Sequence, residues 1–233
     1  VVVAPNLGWT GVPLAAHLSR ALGHRVVVEN DVRAAAWGEF KAGAGLGAGS
    51  LVALFVGTGV GSGAVLDGAL WRGAGNAAGE VGHTQVVPDG LPCACGRRGC
   101  LEQYVSGAAF QRRLGRALED GTPTRLADLA GREPSRVTAA MVARAAAEGD
   151  RFAATVWDEA ERYLAMAAAN YVTLLNPEVL VLGGGVIESV PRLFEVVAAE
   201  VPRLTTVLAR SVRIDRARLG DWSGVVGAGL LAA

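Results

Sequence analysis

Glu80-Val81-Gly82-His83 and, beginning ten residues after that histidine, Cys93-Ala94-Cys95-Gly96-Arg97-Arg98-Gly99-Cys100-Leu101-Glu102 form the stretch on which the reading turns. The three cysteines of the chain all fall within it, inside eight residues. An odd number packed so closely makes a poor disulfide framework, and a reducing compartment fits it better. With His83, the three thiols complete one imidazole and three sulfurs, the closed tetrahedral set of structural zinc. Sulfur donors favour zinc over magnesium or calcium. Gly96 and Gly99 are expected to turn the backbone tightly enough to return Cys100 to the other ligands. With no fourth position left for water, the metal is expected to act as a staple and not as a Lewis acid.

Working outward toward the N-terminus, Leu51–Val56 is an apolar run of strand length. It enters Gly57-Thr58-Gly59-Val60-Gly61-Ser62-Gly63, where exposed backbone N–H groups and the Thr58 hydroxyl suit phosphate oxygens. Ala64–Leu70 resumes as a strand, and Asp67-Gly68 predicts a hairpin turn. Upstream, Val26–Val28 predicts a short buried strand running into Glu29-Asn30-Asp31, followed by a helix over Val32–Ala42 and a glycine-rich boundary at 43–49. By themselves Asn30 and Asp31 read as helix-starting residues. Pro13–Ala21 has helical spacing and stops at Gly23. Val1–Ala4 is strand-like, and Pro5-Asn6-Leu7-Gly8-Trp9 reads as a turn.

Toward the C-terminus the pattern is helical. Gln111–Glu119 is one helix, and Thr138 caps another that ends near Gly149. Asp150 opens a long helix whose apolar face is expected to run through Phe152, Val156, Ala160, Tyr163, Ala167, Tyr171 and Leu174, with Asn176-Pro177 ending it. Val179–Leu182 predicts a buried strand entering Gly183-Gly184-Gly185. A helix over Pro191–Val201, a strand near Val212–Ile214 and a helix over Ser223–Leu231 complete the chain. Strands alternating with helices make the fold α/β.

Composition narrows the function class. The chain has 233 residues, 51% of them hydrophobic, enough for a sizeable core. Its 22 basic and 22 acidic side chains cancel, so charge gives no reason to expect nucleic acid or an acidic lipid surface as partner. No apolar run reaches membrane-spanning length, and no signal peptide is visible; the expected location is the cytoplasm.

The spacing of Glu80, His83, Cys93, Cys95, Gly96, Gly99, Cys100 and Glu102 resembles the signature of the ROK family (repressors, open reading frames and kinases). The resemblance runs from Pro5-Asn6-Leu7 to Gly227-Ala-Gly-Leu-Leu231. It implies the actin-like (ribonuclease H-like), two-lobed sugar kinase fold, with residues 1–45 the remainder of a small lobe and 46–233 a large lobe. It implies that His83, Cys93, Cys95 and Cys100 hold zinc, and that Glu80, His83 and Glu102 contact a sugar. Carboxylates suit that task because each accepts hydrogen bonds from two hydroxyls. Glu29-Asn30-Asp31 through Gly38-Glu39 also matches the family pattern, which makes Asp31 the general base and Asn30 a sugar contact. Gly57, Thr58, Gly59, Gly61 and Gly63 then resemble a phosphate loop, and Gly183, Gly184 and Gly185 the adenosine-side loop.

The activity implied is ATP-dependent phosphorylation of a hexose with Mg2+, and glucose is the leading substrate. Family kinases begin with an Asp-x-Gly-Gly-Thr loop that nothing here matches. The small lobe is therefore expected to be incomplete, and this chain alone to turn over little. The alternative is a sugar-responsive ROK repressor whose DNA-binding domain lies upstream. A homodimer or homotetramer is expected from the family in either case.

Overall fold

The computed structural model describes residues 1, 3–4, 7–209 and 211–233. The first two residues of the turn expected at Pro5–Trp9 lie outside them. Two short strands, β1 (Val3–Ala4) and β2 (Trp9–Thr10), pair antiparallel, and α1 (Leu14–Leu22) follows, ending at Gly23 with φ 69°. The strand expected at Val26–Val28 does not form: the segment pairs with no other strand among the described residues, and Val27 and Val28 are exposed. Three β-branched residues favour extended backbone, but a strand exists only where a neighbour supplies its ladder hydrogen bonds.

α2 (Asp31–Ala42) precedes the central sheet, whose first three strands are β3 (Leu51–Val56), β4 (Val60–Leu66) and β5 (Ala69–Trp71). The β4–β5 turn is Asp67-Gly68 with φ 50° and 73°, the paired positive values of a tight hairpin. After the irregular stretch 72–101 come α3 (Glu102–Val105), α4 (Gly107–Glu119), α5 (Arg125–Leu129), α6 (Ala139–Ala147) and α7 (Arg151–Leu175). The chain closes with β6 (Val179–Gly183), α8 (Gly185–Ser189), α9 (Pro191–Leu204), β7 (Arg213–Arg216) and α10 (Ser223–Ala232). α4 starts four residues earlier than its spacing predicts because the Ser106 side chain caps it through Ala109 N–H. None of these helices is long and apolar enough to cross a membrane.

The sheet order is β5-β4-β3-β6-β7; β6 pairs parallel with both β3 and β7, and β4 pairs antiparallel with both β3 and β5. β3 and β6 sit at its centre and are apolar throughout because both faces are covered. Leu51, Ala53, Val179 and Val181 point to one face, where α2 packs with Ala36 and Phe40. Val52, Leu54, Leu180 and Leu182 point to the other, toward α7 and α9. Each fully buried leucine contributes roughly 1.5–3 kcal/mol relative to exposure.

α7 is the long helix expected, with Asp150 as its cap and Asn176 at φ 44° as its stop. Its buried stripe runs through Ala153, Val156, Trp157, Ala160, Leu164, Ala168 and Val172. The face expected from spacing is displaced: Leu174 is 78% exposed, and Phe152, Tyr163 and Tyr171 lie at the margin. An alanine-rich helix carries apolar residues most of the way round, so periodicity centres the face poorly.

α10 returns to cross α2 at close range. A Cβ at Gly227 would stand 1.7 Å from the Ala34 carbonyl oxygen, and one at Gly38 2.4 Å from that of Ser223. Only glycine permits such backbone contact.

Candidate metal and sugar site

The thiol loop has almost no regular structure, only isolated bridges of Gln85 with Cys100 and Pro92 with Arg98. Gly96 and Gly99 take positive φ, 85° and 74°, as the expected tight turns require. The Gly99 carbonyl accepts from both Val86 and Val87 N–H, and a Cβ there would strike the Val87 carbonyl. These turns bring the side chains of His83, Cys93, Cys95 and Cys100 together, with their ligand atoms all within 4.8 Å of one another. His83 Nδ1 lies 3.6 Å from Cys93 Sγ, and Cys95 Sγ lies 3.6 Å from Cys100 Sγ. A tetrahedral zinc ion with bonds of about 2.0–2.3 Å spaces its ligands roughly 3.5–3.8 Å apart. A disulfide would need about 2.05 Å. Donor set and spacing therefore fit zinc.

Without an ion the thiols differ sharply. The Arg97 backbone N–H and guanidinium hold Cys95 down to about 6, while burial pushes Cys100 up to about 12. A divalent ion removes that difference, because coordination deprotonates a thiol outright.

The sugar-facing candidates gather on the β3–β4 hairpin. Glu102, the first residue of α3, accepts a hydrogen bond from Val60 N–H through Oε2 at 3.1 Å. The 80–83 turn rests on the same residue, since a Cβ on Gly82 would stand 2.3 Å from the Val60 carbonyl oxygen. With Nδ1 turned to the thiols, His83 keeps Nε2 for the other side of the ring. α2 meets the hairpin one residue further, with Val32 against Gly61. Asp31, next to Val32, thereby stands beside the hairpin that carries Glu102 and the 80–83 turn.

Asn30 is the cap of α2, its Oδ1 accepting from Arg33 N–H at 3.0 Å. That role leaves Asp31 in the first turn, and its Oδ1 accepts from Val32 N–H at 2.9 Å and Asn30 Nδ2 at 3.0 Å. Its Oδ2 accepts no hydrogen bond among the described residues.

The glycine segments divide. Gly57, Thr58 and Gly59 form the hairpin loop, pinned to the start of α4 by Gly107 and Ala108 N–H donating to Gly57 and Thr58 carbonyls. Gly61 and Gly63 do not belong to that loop: they lie in β4, opposite Phe55 and Ala53. Side chains there would meet Val32 and Ala36, so these two glycines let α2 lie on the strand. Gly183 ends β6 against Phe55 and Ala217, Gly184 lies against the Val56 backbone just before α8, and Gly185 faces open space. Because β3 and β6 are parallel neighbours, the 57–59 and 184–185 segments stand side by side at their carboxyl ends. A cleft of about 220 Å³ lined by Gly183, Ile187, Glu188, Arg216 and Arg218 adjoins them. Open α/β sheets bind ligands in that place.

Two buried charges had no role assigned from sequence. Arg33, 4% exposed, donates to Glu29 Oε1 at 2.8 Å, to the carbonyls of Asn76 and Ala78 at 3.1 Å, and to Asn76 Oδ1 at 3.2 Å. It ties the Asn30-Asp31 turn to the loop leading into Glu80. Burial would raise the Glu29 carboxyl, but hydrogen bonds from Asn30 N–H, Arg72 and Arg33 hold it below its ordinary range. The spacing Glu29 to Arg33, one helical turn, was the available signal.

Glu39 is fully buried near the other end of α2. Its two oxygens accept from Ala44 N–H at 2.9 Å, Arg218 N–H at 3.0 Å, Leu219 N–H at 2.8 Å and Ser223 Oγ at 2.8 Å. It joins the helix that carries Asp31 to the segment flanking the cleft. The sequence marks it only as the last residue of the Gly38-Glu39 match and gives it no role.

Comparison with known proteins places this geometry. The family model described as "ROK family" matches residues 1–233. A glucokinase from Streptomyces coelicolor is 35% identical over 237 residues, covering 100% of this chain and 74% of that protein. The crystal structure of a ROK family glucokinase from Streptomyces griseus, in complex with glucose and AMPPNP, superposes with TM-score 0.82 at 36% identity, over 100% of this chain and 76% of its own. A ROK family transcriptional regulator, a homologue of the E. coli MLC protein, gives the same TM-score at 29% identity, over 100% of this chain and 58% of its own. The layered sheet is that of the actin-like ROK sugar kinases, and with the family model matched along its whole length the chain belongs to the ROK family.

Proposed function

We propose that this chain carries the sugar-phosphorylating site of an ATP-dependent hexose kinase, with glucose as the substrate. The observation that carries the reading is the convergence of Asp31, the 80–83 turn and Glu102 on one hairpin whose loop, 57–59, opens beside the Gly184-Gly185 turn. Glu80, Glu102, Asn30 and His83 Nε2 would hold the sugar hydroxyls. Asp31 would accept the proton of the attacking hydroxyl as its oxygen bonds to the γ-phosphorus and the bond to the ADP oxygen breaks. Proton transfer of this kind contributes about 10²–10⁴-fold, and positioning supplies most of the rest. Gly57, Thr58, Gly59 and Gly183–Gly185 would border the nucleotide; Gly61 and Gly63 support α2 instead. Mg2+ accompanies the phosphates in this reading, and no side chain here is assigned to it.

Zinc on His83, Cys93, Cys95 and Cys100 would neutralise the thiolates and fix the loop, leaving recognition to Glu80 and Glu102. Residues 1–45 as a small-lobe segment and 46–233 as a large lobe, a cytoplasmic location and a homodimeric or homotetrameric state belong to the same proposal. A second reading, a sugar-responsive repressor, is favoured by the equal structural match to the transcriptional regulator. Asp31 beside the hairpin, through the neighbouring contact of Val32 with Gly61, supports catalysis.

The test is a coupled ADP-release assay of the full-length gene product with ATP and a panel of hexoses, beside equilibrium hexose binding. Asp31→Asn should lower kcat by about 10²–10⁴-fold while the hexose Kd changes little. Turnover that survives the substitution removes Asp31 as base. Hexose binding without any turnover selects the repressor.

A further inference from the structure

Gln103 follows Glu102 in α3 and is 6% exposed. Its amide has two partners: Nε2 lies 3.4 Å from Cys93 Sγ, and Oε1 accepts from Arg112 Nη2 at 3.0 Å. The orientation follows from chemistry. A guanidinium donates and never accepts, so the Gln103 atom facing Arg112 must be the carbonyl oxygen. The NH2 group is thereby turned to the sulfur. A buried amide N–H needs an acceptor, and a neutral thiol is a weak one. A thiolate accepts well, and a metal-bound cysteine is a thiolate.

Charge in the cluster points the same way. Three thiolates and a neutral imidazole around a divalent ion leave a net charge of about −1, in a site where Cys93 and Cys100 are buried. Arg97, beside Cys95, is exposed and offsets only the outer edge. On the buried side the polar group that faces Cys93 is Gln103, with its N–H polarised by the cation behind it.

We propose that Gln103, oriented by Arg112, is a positioning residue for the metal: its N–H supports the Cys93 thiolate and sets how tightly the loop holds the ion. The inference rests on the metal reading above and extends it. Because Gln103 is next to Glu102 in a four-residue helix, the bond also registers the metal loop against the carboxylate proposed to grip the sugar. Outer partners of this kind typically change metal affinity by about 10–100-fold when removed.

The experiment uses the full 233-residue chain loaded with Zn2+ or Co2+. Gln103→Met keeps the length and bulk of the side chain and deletes the donor. Zinc affinity, read by competition with a chromogenic chelator, should fall about 10–100-fold. The sulfur-to-metal charge-transfer band of the Co2+ protein should move to longer wavelength, because a thiolate that loses its donor is more electron-rich. Mere loss of packing would leave that band in place. Arg112→Met, at an exposed position, should give the same direction of band shift and a smaller fall in affinity, and it carries the test should Gln103→Met fail to fold. Unchanged affinity and an unchanged band in the variant that folds would overturn the proposal. If the wild-type chain takes up neither Zn2+ nor Co2+, the metal reading itself fails and the proposal falls with it.

Discussion

The thiol loop and the α2–α10 crossing lie on two sides of the same hairpin, yet they are held by opposite means. The loop from 84 to 101 leans on the main core through Val86, Val87, Leu91 and Leu101, and its outer part is shaped by turns at Gly96 and Gly99 and by the converging side chains of His83, Cys93, Cys95 and Cys100. The crossing is held by backbone contact at Gly38 and Gly227, by apolar burial on the sheet and by the Glu39 carboxylate. One region is a glycine-turned loop around a metal-competent cluster and the other a packed interface. The proposed base stands on the packed side, and the proposed sugar carboxylates stand on the thiol-loop side. A fault in one should therefore leave a different signature from a fault in the other.

The largest break is expected at Glu39. Glu39→Ala strands four donors, two of them buried, and urea unfolding should show a loss of roughly 4 kcal/mol, with zinc affinity unchanged. Next comes Gly227→Ala, whose methyl has no room at the Ala34 carbonyl. It should cost about 2–3 kcal/mol in the same measurement, again without touching the metal.

Chelation works the other way. Stripping zinc should weaken hexose binding by about tenfold, or about 1.4 kcal/mol by calorimetry, while the sheet keeps its unfolding midpoint within error. A chelator that melted the whole fold would show that the two regions are one cooperative unit.

The smallest effect sharpens the comparison at a site in neither region. Burial would raise the Asp150 carboxyl, but Ala153 N–H, Thr124 Oγ1, Arg125 N–H and Leu126 N–H all donate to it and hold it below its ordinary value. A depressed carboxyl stabilises the fold above its unfolded pKa, about 3.9, and loses that contribution as pH falls through its folded value. Asp150→Ala should cost about 1 kcal/mol at neutral pH as a lost helix cap, and the gap to wild type should narrow below about pH 4.

Features written in local chemistry were legible in the sequence. β3 and β6 are apolar runs because both their faces are covered, and the Asp67-Gly68 turn needs two positive φ values. α7 starts at Asp150 and stops at Asn176 because those side chains satisfy or terminate a helix wherever they stand. The cluster of His83, Cys93, Cys95 and Cys100 was legible because three thiols and an imidazole at that spacing have few other uses. Gly61 and Gly63 were misplaced for the converse reason: a glycine serving a loop and a glycine serving a helix contact look alike in sequence.

By itself the sequence determined the three-thiol, one-imidazole cluster, the central strands, the long helix and the family, because each rests on neighbouring residues or a spaced motif. Only the tertiary structure decided that Val26–Val28 is not a strand, that Gly61 and Gly63 lie beneath α2, and that Gln103 faces a thiol. It alone decided that Glu39 is buried among four donors drawn from residues 44 and 218–223. Those outcomes depend on which distant backbone comes within hydrogen-bond or contact range, and range is set by how whole layers pack.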